Sequence, residues 1–170
     1  MTVWFTADTH FGHGATLGQF RRPFRSVPEM NEALIARWND RVARDDEVWH
    51  LGDFAYRMAP AAMAALLGRL NGTKHLVTGN NDGPDTLQLS GWASVQAYAE
   101  LDLDGVRLVL CHYPFRTWNR MAQGAWNLHG HSHGRLARVT RQADVGVDVW
   151  DYHPVTFATI RAPRSRRTAP

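Results

Sequence analysis

The sequence predicts an α/β domain in which two packed, mixed β-sheets are flanked by helices. Two patterns indicate this fold class. In the first half of the chain, short apolar runs alternate with helical segments in the order βαβαβ. The second half contains a β-hairpin and further short strands, so a second sheet is expected to pack against the first.

The first half is expected to begin with a strand and a long helix. Residues 3–7 form a short apolar run, which suits a buried strand better than a helix. Ser26 and Glu29 have the spacing of a capping box, and apolar residues then recur every four positions, which predicts an amphipathic helix of about four turns. The elements expected after it are a strand at 47–51, a helix at 60–70 that has proline in its first turn, and a strand at 75–78.

The second half is expected to open with an irregular segment, because residues 79–84 read GNNDGP. Asp104-Gly105 is typical of a type I′ turn, and it joins the apolar runs 101–103 and 106–110 in a predicted hairpin. Two later strands are expected at 143–149 and 155–160.

The composition limits the classes of protein to which the chain can belong. With 170 residues and 44% hydrophobic content, it can form one domain with a sizeable core, but not a second catalytic domain. Its one cysteine, Cys111, excludes an internal disulfide framework. No segment approaches the ~20 apolar residues of a membrane span, and the N-terminus lacks the pattern of a signal peptide. We therefore expect a soluble, cytoplasmic protein without a membrane partner.

The basic charge of the chain is concentrated at its C-terminus. The net charge is +3, and the last ten residues contain four arginines and no acid, so the rest carries 3 − 4 = −1. We expect a domain over residues 1–160 and a flexible Arg/Pro-rich tail over 161–170. The tail is either a solubilising end or a weak electrostatic contact for nucleic acid. The oligomeric state does not follow from the sequence.

Four of the predicted strands, at 3–7, 47–51, 75–78 and 106–110, end beside a residue that can bind a metal ion. In α/β folds, ligands bind at that edge of the sheet. Alternate histidines in the later segment 129–133 would share one face if it were extended. Carboxylate, imidazole and amide groups together suit manganese, iron, zinc or nickel better than calcium. The candidate ligands are Asp8, His10, Asp53, Asn80, His112, His131 and His133.

The motifs DTH, GD, GNND, CH and GHSH, in this order, resemble the pattern DxH, GD, GNH(D/E), H, GHxH of the calcineurin-like metallophosphoesterases. The segments DTHFGH, EMNEALIARWN and LGDFA are similar to a compact bacterial or phage branch of that family. The resemblance implies a four-layer αββα sandwich and a phosphoesterase with two divalent transition metals. Manganese is expected, with iron, zinc and nickel as alternatives.

The resemblance also implies a role for each ligand. Asp8, His10 and His133 would hold one ion. Asn80, His112 and His131 would hold the other, and Asp53 would bridge the two. A hydroxide between the ions would attack the phosphorus atom.

The chain departs from the family pattern at Asn81, where a histidine is expected to protonate the leaving group, and Asp82 then lacks its usual partner. An asparagine amide cannot deliver a proton near neutral pH. Three explanations stay open: substrates with good or strained leaving groups, a different acid such as His13 or a metal-bound water, or a weakly active variant. Asp82 would then bond the Asn81 amide or cap the turn at Pro84.

Other residues near these motifs have two interpretations each. His13 is either a phosphate or proton-transfer residue, or a solvated imidazole. Arg57 follows the GD motif by four residues, and it either contacts the substrate phosphate, as Asn80 would, or is solvated. Asp148 either orients a histidine ligand or caps a strand. We expect His129 to support the site rather than to bind metal.

The predicted function is hydrolysis of a phosphate ester, in particular an aryl or 2′,3′-cyclic nucleotide phosphodiester. The alternative is a catalytically weak, phosphoesterase-like binding or scaffold module. The expected partners are a phosphate-ester small molecule or a nucleotide, and nucleic acid is a further candidate through the tail.

Overall fold

Two mixed β-sheets with flanking helices form the protein in the computed structural model, which describes residues 1–162. The strands are β1 (Val3–Thr6), β2 (Glu47–His50), β3 (Thr73–Val77), β4 (Ser94–Gln96), β5 (Ala99–Leu103), β6 (Val106–Leu110), β7 (Trp126–His129), β8 (Gln142–Asp144) and β9 (Val155–Thr156). The helices are α1 (Ala15–Gln19), α2 (Val27–Arg41), α3 (Pro60–Arg69), α4 (Pro84–Leu87) and α5 (Phe157–Arg161). The predicted fold class is confirmed.

The first sheet has the order β4-β3-β2-β1-β9, and its first four strands are parallel. The last strand, β9, runs antiparallel to β1 and closes one edge. The second sheet has the order β5-β6-β7-β8. It contains one antiparallel pair, the predicted hairpin β5–β6, whose turn residues Asp104 and Gly105 both have positive φ as a type I′ turn requires.

Helices α2 and α3 pack on the outer face of the first sheet. Ser26 caps α2 by accepting a hydrogen bond from Glu29 N, as its sequence predicts. The outward side chains of β2 and β3, Val48 and Leu76, are fully buried in one cluster with apolar residues of the two helices. The four-residue spacing of the sequence therefore marks the buried face of α2.

A second core lies between the sheets. Phe5 of the first sheet and Leu110 and Leu128 of the second are fully buried there, and Phe157 of α5 joins them. On the outer face of the second sheet, Val109 packs against Trp118 and Ala125. Within the described residues, the segment that packs on this face contains one regular element, a 3-10 turn at Met121–Gln123.

The two later strands are shorter than predicted. The first ends at Asp144, because its carboxylate accepts a hydrogen bond from Gly146 N at 2.7 Å, and a 3-10 turn follows at Val147–Val149. The second ends at Thr156, whose hydroxyl caps α5 by accepting from Thr159 N at 3.2 Å. The prediction of strand structure at 145–149 and 157–160 is therefore wrong.

Further differences from the prediction concern three strands, one helix and the start of the C-terminal tail. Two short strands, β4 and β7, were not predicted, and β3 begins two residues earlier than expected. Pro84 opens the short helix α4 rather than closing an irregular segment. Arg161 is the last residue of α5, and residues 163–170 of the predicted tail lie outside the described residues. Within the described part of the chain, no helix has the length and apolar character needed to cross a bilayer.

Candidate metal centre

The loops that follow β1, β2, β3 and β6 meet at one edge of the two sheets. Backbone hydrogen bonds join the first two loops: Asp8 N donates to Gly52 O at 2.9 Å, and His10 N donates to Asp53 O at 3.0 Å. A Cβ atom at Gly52 would lie 2.6 Å from Gly79 N and from His112 Nδ1. Glycine is therefore required in the GD motif for this close approach.

Five of the seven predicted ligands have a left-handed backbone conformation. Non-glycine residues adopt it uncommonly, at a cost on the order of 1–3 kcal/mol each, and they do so mostly at functional sites. The φ angles are 57° at Asp8, 49° at His10, 58° at Asp53, 65° at His131 and 47° at His133.

The condition of an extended segment at 129–133 is therefore not met, although His131 and His133 both reach the site. The Asp144 carboxylate accepts hydrogen bonds from Ser132 Oγ at 2.6 Å and from Gly134 N at 2.8 Å. These bonds curve the chain into a loop around the two histidines. Asp144 was not identified from the sequence, because no motif around this residue indicates a role at the site.

One group of ligand atoms belongs to Asp8, His10 and His133, which lie within 4.8 Å of one another. His133 Nδ1 donates to Asp148 Oδ2 at 2.7 Å, which leaves Nε2 directed at Asp8 Oδ1, 3.9 Å away. This geometry supports the interpretation of Asp148 as the residue that orients a ligand.

A second group belongs to Asp8, Asp53 and His112, again within 4.8 Å. His112 Nδ1 donates to the Leu51 carbonyl at 2.8 Å, so its Nε2 faces the site. Asp53 Oδ2 lies 3.7 Å from that Nε2 and 3.5 Å from His10 Nε2. Asp53 therefore lies near an imidazole of each group, as a bridging carboxylate would, and Asp8 is the residue common to both groups.

Asn80 and His131 complete the second group. The amide oxygen of Asn80 lies 3.1 Å from His112 Nε2 and 2.9 Å from His131 Nδ1. Three donor atoms that suit a transition metal therefore converge at one point. All seven predicted ligands lie at this edge of the sheets.

The electrostatics of the site fit a bound cation. His10 Nε2 is buried and has no hydrogen-bond partner among the described residues. Burial, with a further contribution from Arg22, lowers the pKa of His10 to about 2, so the imidazole is neutral and can act as a ligand. Burial and the neighbouring carboxylates of Asp144 and Asp53 raise the pKa of Asp8 well above its usual value. A divalent cation would give His10 Nε2 a partner and would stabilise the charged form of Asp8.

A buried arginine supports the first group of ligands. Arg22 is 4% exposed and forms two hydrogen bonds to Asp148, from Nε to Oδ1 at 2.9 Å and from Nη2 to Oδ2 at 2.8 Å. It also donates to the carbonyl oxygens of Asp8 and Thr9, at 2.6 and 2.9 Å. No motif in the sequence identifies this residue, because its partners are distant in the chain.

Asp82 supports the loops through backbone contacts. Its Oδ2 accepts from Asp53 N and Gly79 N, both at 2.8 Å, and its Oδ1 accepts from Phe54 N at 2.9 Å. Burial raises the pKa of this carboxyl group, and the three N–H donors oppose that shift. The described contacts of Asp82 include neither the Asn81 side chain nor the Pro84 turn.

The metal groups open into a cleft of about 320 Å³, and Asn81 and His13 line it. His13 stacks on Tyr56, and its Nδ1 lies 3.2 Å from His10 Nδ1. Burial lowers the pKa of His13. Arg57 is exposed over the Tyr56 ring and is absent from the residues that line the cleft.

The cleft has an arginine that the sequence did not identify. Arg135 lines the cleft, donates to the Gln19 carbonyl at 2.7 Å and lies over the Phe20 ring at 4.8 Å. Phe20 in turn stacks on His133, with ring centroids 3.5 Å apart. Arg135 is the one arginine or lysine among the described residues that line the cleft.

His129 and Cys111 lie beside the ligands without joining them. His129 Nδ1 donates to Gly130 O at 2.8 Å, and burial lowers the pKa of its imidazole. Burial raises the pKa of the Cys111 thiol, so this cysteine is not activated as a nucleophile.

Residues 1–150 match the calcineurin-like phosphoesterase superfamily domain. The chain is 34% identical to the Gene 66 protein of Mycobacterium phage D29, over 87% of this chain and 88% of that protein. It is 30% identical to the uncharacterized protein MJ1445 of Methanocaldococcus jannaschii, over 93% of this chain and 88% of that protein. The fold is similar to that of AQ665 from Aquifex aeolicus, a protein of unknown function, with a TM-score of 0.75 at 21% identity over 93% of this chain and 96% of that one.

Proposed function

Because the chain belongs to the calcineurin-like phosphoesterase superfamily, we propose that it is a metal-dependent hydrolase of phosphodiesters that have good or strained leaving groups. One observation carries the proposal: the buried, unpartnered His10 Nε2 of one group of ligand atoms lies 3.5 Å from Asp53 Oδ2 of the other, and the two groups overlap at Asp8. Such an arrangement is suited to a pair of cations that share one carboxylate.

Asp8, His10 and His133 would hold one ion, Asn80, His112 and His131 the other, and Asp53 both. The mixture of nitrogen and oxygen donors favours manganese, with iron, zinc and nickel as alternatives. When bound, two divalent ions supply a hydroxide nucleophile near neutral pH and neutralise the phosphate oxygens.

Arg135 supports phosphate binding. Its guanidinium is fixed by the Gln19 carbonyl and the Phe20 ring at the wall of the cleft. Arginine binds phosphate oxygens in a forked geometry, so we assign to Arg135 the role of orienting the substrate. Of the two interpretations that the sequence left open for Arg57, a phosphate contact or a solvated side chain, the second fits its position outside the cleft lining.

The preference for good leaving groups follows from Asn81 and His13. The Asn81 side chain donates to Asp53 Oδ2 at 2.6 Å, so its amide N–H is already used inside the site. Among the described residues that line the cleft, His13 is the one imidazole or carboxyl group that is not a proposed ligand. Since burial lowers the pKa of His13, the imidazole is mostly neutral at pH 7, and only a small fraction of it carries a proton to donate.

The test is a panel of substrates and metals. Bis(4-nitrophenyl) phosphate, 2′,3′-cyclic nucleotides and alkyl phosphomonoesters are assayed with manganese, iron, zinc and nickel in turn. We expect the first two classes to be hydrolysed with manganese and all activity to disappear in chelator. Stoichiometric metal binding without turnover of any ester would instead favour the binding or scaffold module.

A further inference from the structure

Two of the proposed ligand histidines share one hydrogen-bonding pattern. His112 and His133 each donate from Nδ1, to the Leu51 carbonyl at 2.8 Å and to Asp148 Oδ2 at 2.7 Å. Their Nε2 atoms are thereby left for the metal groups. Such an outer hydrogen bond selects the tautomer of a ligating histidine and orients its ring. If His10 follows the same pattern, its Nδ1 also needs an acceptor.

His13 lies beside this outer nitrogen of His10. The two Nδ1 atoms are 3.2 Å apart, and within the described part of the chain His13 is the one hydrogen-bond partner of His10 Nδ1. His10 Nε2 is the nitrogen directed at the metal groups, 3.5 Å from Asp53 Oδ2. Because a metal ion binds an unprotonated nitrogen, the proton of the neutral His10 ring is then on Nδ1. His13 Nδ1 is therefore the acceptor.

The local backbone returns His13 to His10. His13 N donates to the His10 carbonyl at 3.0 Å, which closes a tight turn. Gly12 has a φ of 81°, and a Cβ atom there would lie 2.5 Å from Met58 Cγ, so the turn requires glycine. Thr16 Oγ1 donates to the His13 carbonyl at 2.6 Å and fixes the end of the turn. The HFGH segment thus places its two imidazoles in contact.

A further contact fixes the His13 ring. Tyr56 stacks on it, with ring centroids 4.0 Å apart and an angle of 25° between the ring planes. Tyr56 N donates to the Phe11 carbonyl at 2.9 Å, so the tyrosine is attached to the same loop. Among the side-chain hydrogen bonds of the described residues, His13 takes part in the one to His10 alone. The ring is therefore fixed in the position where it can orient His10.

We propose that His13 is a positioning residue, which accepts a hydrogen bond from His10 Nδ1 and thereby directs His10 Nε2 at a metal ion. The inference rests on the metal binding of the proposed function. Asp148 has the same task at His133, so both imidazoles of the first group of ligands are oriented from outside. The sequence did not predict this task, since its two interpretations were a phosphate or proton-transfer residue and a solvated imidazole.

The test compares two substitutions of His13 that differ in their ability to accept a hydrogen bond. Asparagine Oδ1 and histidine Nδ1 are both bonded to Cγ, so His13→Asn can accept the bond from His10. His13→Leu has an apolar atom at that position and accepts none. Binding of manganese to each metal-free protein is measured by calorimetry, and hydrolysis of bis(4-nitrophenyl) phosphate is measured in parallel.

His13→Leu should bind one of the two ions roughly 10–100-fold more weakly, as is typical when the partner of a ligating histidine is lost. The other ion should bind as it does in the wild type, and His13→Asn should recover most of the lost affinity. A merely structural role of the ring predicts a different result. Both substitutions remove the stack on Tyr56, so the two variants would then lose the same affinity.

The tautomers give a readout that does not depend on turnover. Nitrogen-15 NMR of the histidine side chains in the zinc-loaded protein should show a proton on His10 Nδ1 and none on His13 Nδ1. This measurement is made on the wild type, so it stands even where a variant fails to fold.

Three results would each overturn the inference: wild-type affinity for both ions in His13→Leu, the same loss in both variants, or a proton on His13 Nδ1. Failure of the proposed function would look different. A wild type that binds two ions and hydrolyses no ester would contradict the hydrolase, while the difference between the two variants would still support His13 as a positioning residue. A wild type that binds no metal would contradict both.

Discussion

Asn81 occupies both oxygens of the Asp53 carboxylate. Its backbone N–H donates to Oδ1 at 2.8 Å, and its side-chain amide donates to Oδ2 at 2.6 Å. The residue that stands where the family pattern has a histidine is thus tied to the proposed bridging ligand. These two hydrogen bonds orient the carboxylate, and an asparagine amide cannot deliver a proton near neutral pH.

The first prediction concerns this position. Asn81→His should raise the turnover of alkyl esters more than that of aryl esters, because general acid catalysis contributes about 10²–10⁴-fold where the leaving oxygen is basic. The measurement is kcat/KM for a series of diesters whose leaving groups differ in pKa. Asn81→Ala, which removes the amide without adding an acid, is the matched control. A single common factor for all substrates would show that a different acid already acts.

The second prediction concerns the bridging carboxylate. Asp53→Asn should weaken both metal groups at once, since Asp53 Oδ2 lies near both His10 and His112. Elemental analysis after reconstitution with manganese should give about two ions per chain in the wild type and far fewer in the variant. Asp85→Asn, an exposed carboxylate in α4, should leave metal content and turnover unchanged. Full metal occupancy in Asp53→Asn would contradict the bridging role.

The third prediction concerns the hydrogen bond between Asp148 and His133. Asp148→Asn should lower the affinity for one of the two ions by roughly 10–100-fold, as is typical when the partner of a ligating histidine is changed. It should also lower the free energy of unfolding, because Arg22 is left buried beside a neutral group. Manganese titration by calorimetry measures the first effect, and Asp151→Asn is the exposed control. Weaker binding of both ions, instead of one, would argue that the two sites cannot be separated.

The fourth prediction separates two arginines. Arg135→Ala should raise KM for phosphodiesters and lower kcat/KM by about 10-fold or more, since charged hydrogen bonds contribute roughly 1.5–3 kcal/mol. Arg57→Ala should change neither constant appreciably, because Arg57 is exposed outside the cleft. Arg135→Lys should recover part of the loss but not the forked contact. Steady-state kinetics on one aryl diester measure both effects. A larger effect for Arg57→Ala than for Arg135→Ala would instead favour Arg57 as the phosphate contact.

The fifth prediction concerns stability away from the metal centre. Asp46 accepts hydrogen bonds from Thr2 N, Trp4 Nε1 and Ala43 N, and the first of these contributes most to lowering its pKa. Asp46→Asn should therefore lower the free energy of unfolding by roughly 1–3 kcal/mol at pH 7.

The pH dependence of that difference has a definite sign. Because the folded-state pKa of Asp46 lies below its usual value of 3.8, the stabilisation is complete above 3.8 and is lost as the pH falls through the folded-state value. The free energies of unfolding of the wild type and the variant, measured with urea, should thus differ by a constant amount from pH 7 to about 5. The difference should shrink as the pH falls below about 4. Asp45→Asn, an exposed neighbour, should differ from the wild type by less than about 0.5 kcal/mol throughout. A difference that persists unchanged at pH 3 would exclude the carboxylate as its cause.

Much of the architecture follows from local patterns. The spacing of Met30, Leu34 and Trp38 predicts α2 because a helix returns to the same face about every four residues. Asp104-Gly105 predicts the hairpin because few other dipeptides adopt two positive φ angles. The strand ends at Asp144 and Thr156 were missed because side-chain hydrogen bonds stop the strands there, and apolar periodicity does not report such bonds.

The seven candidate metal ligands were predicted from the sequence because their motifs occur in the order of the family pattern. Most of them also follow a predicted strand, and the carboxyl ends of neighbouring parallel strands meet at one edge. The residues that orient these side chains and line the cleft beside them depend on the tertiary structure. Arg22 and Asp148 are separated by 126 residues, and Arg135 reaches the cleft through Gln19 and Phe20, far from it in the chain. Such contacts depend on how two sheets pack, and packing brings together side chains that no local motif relates.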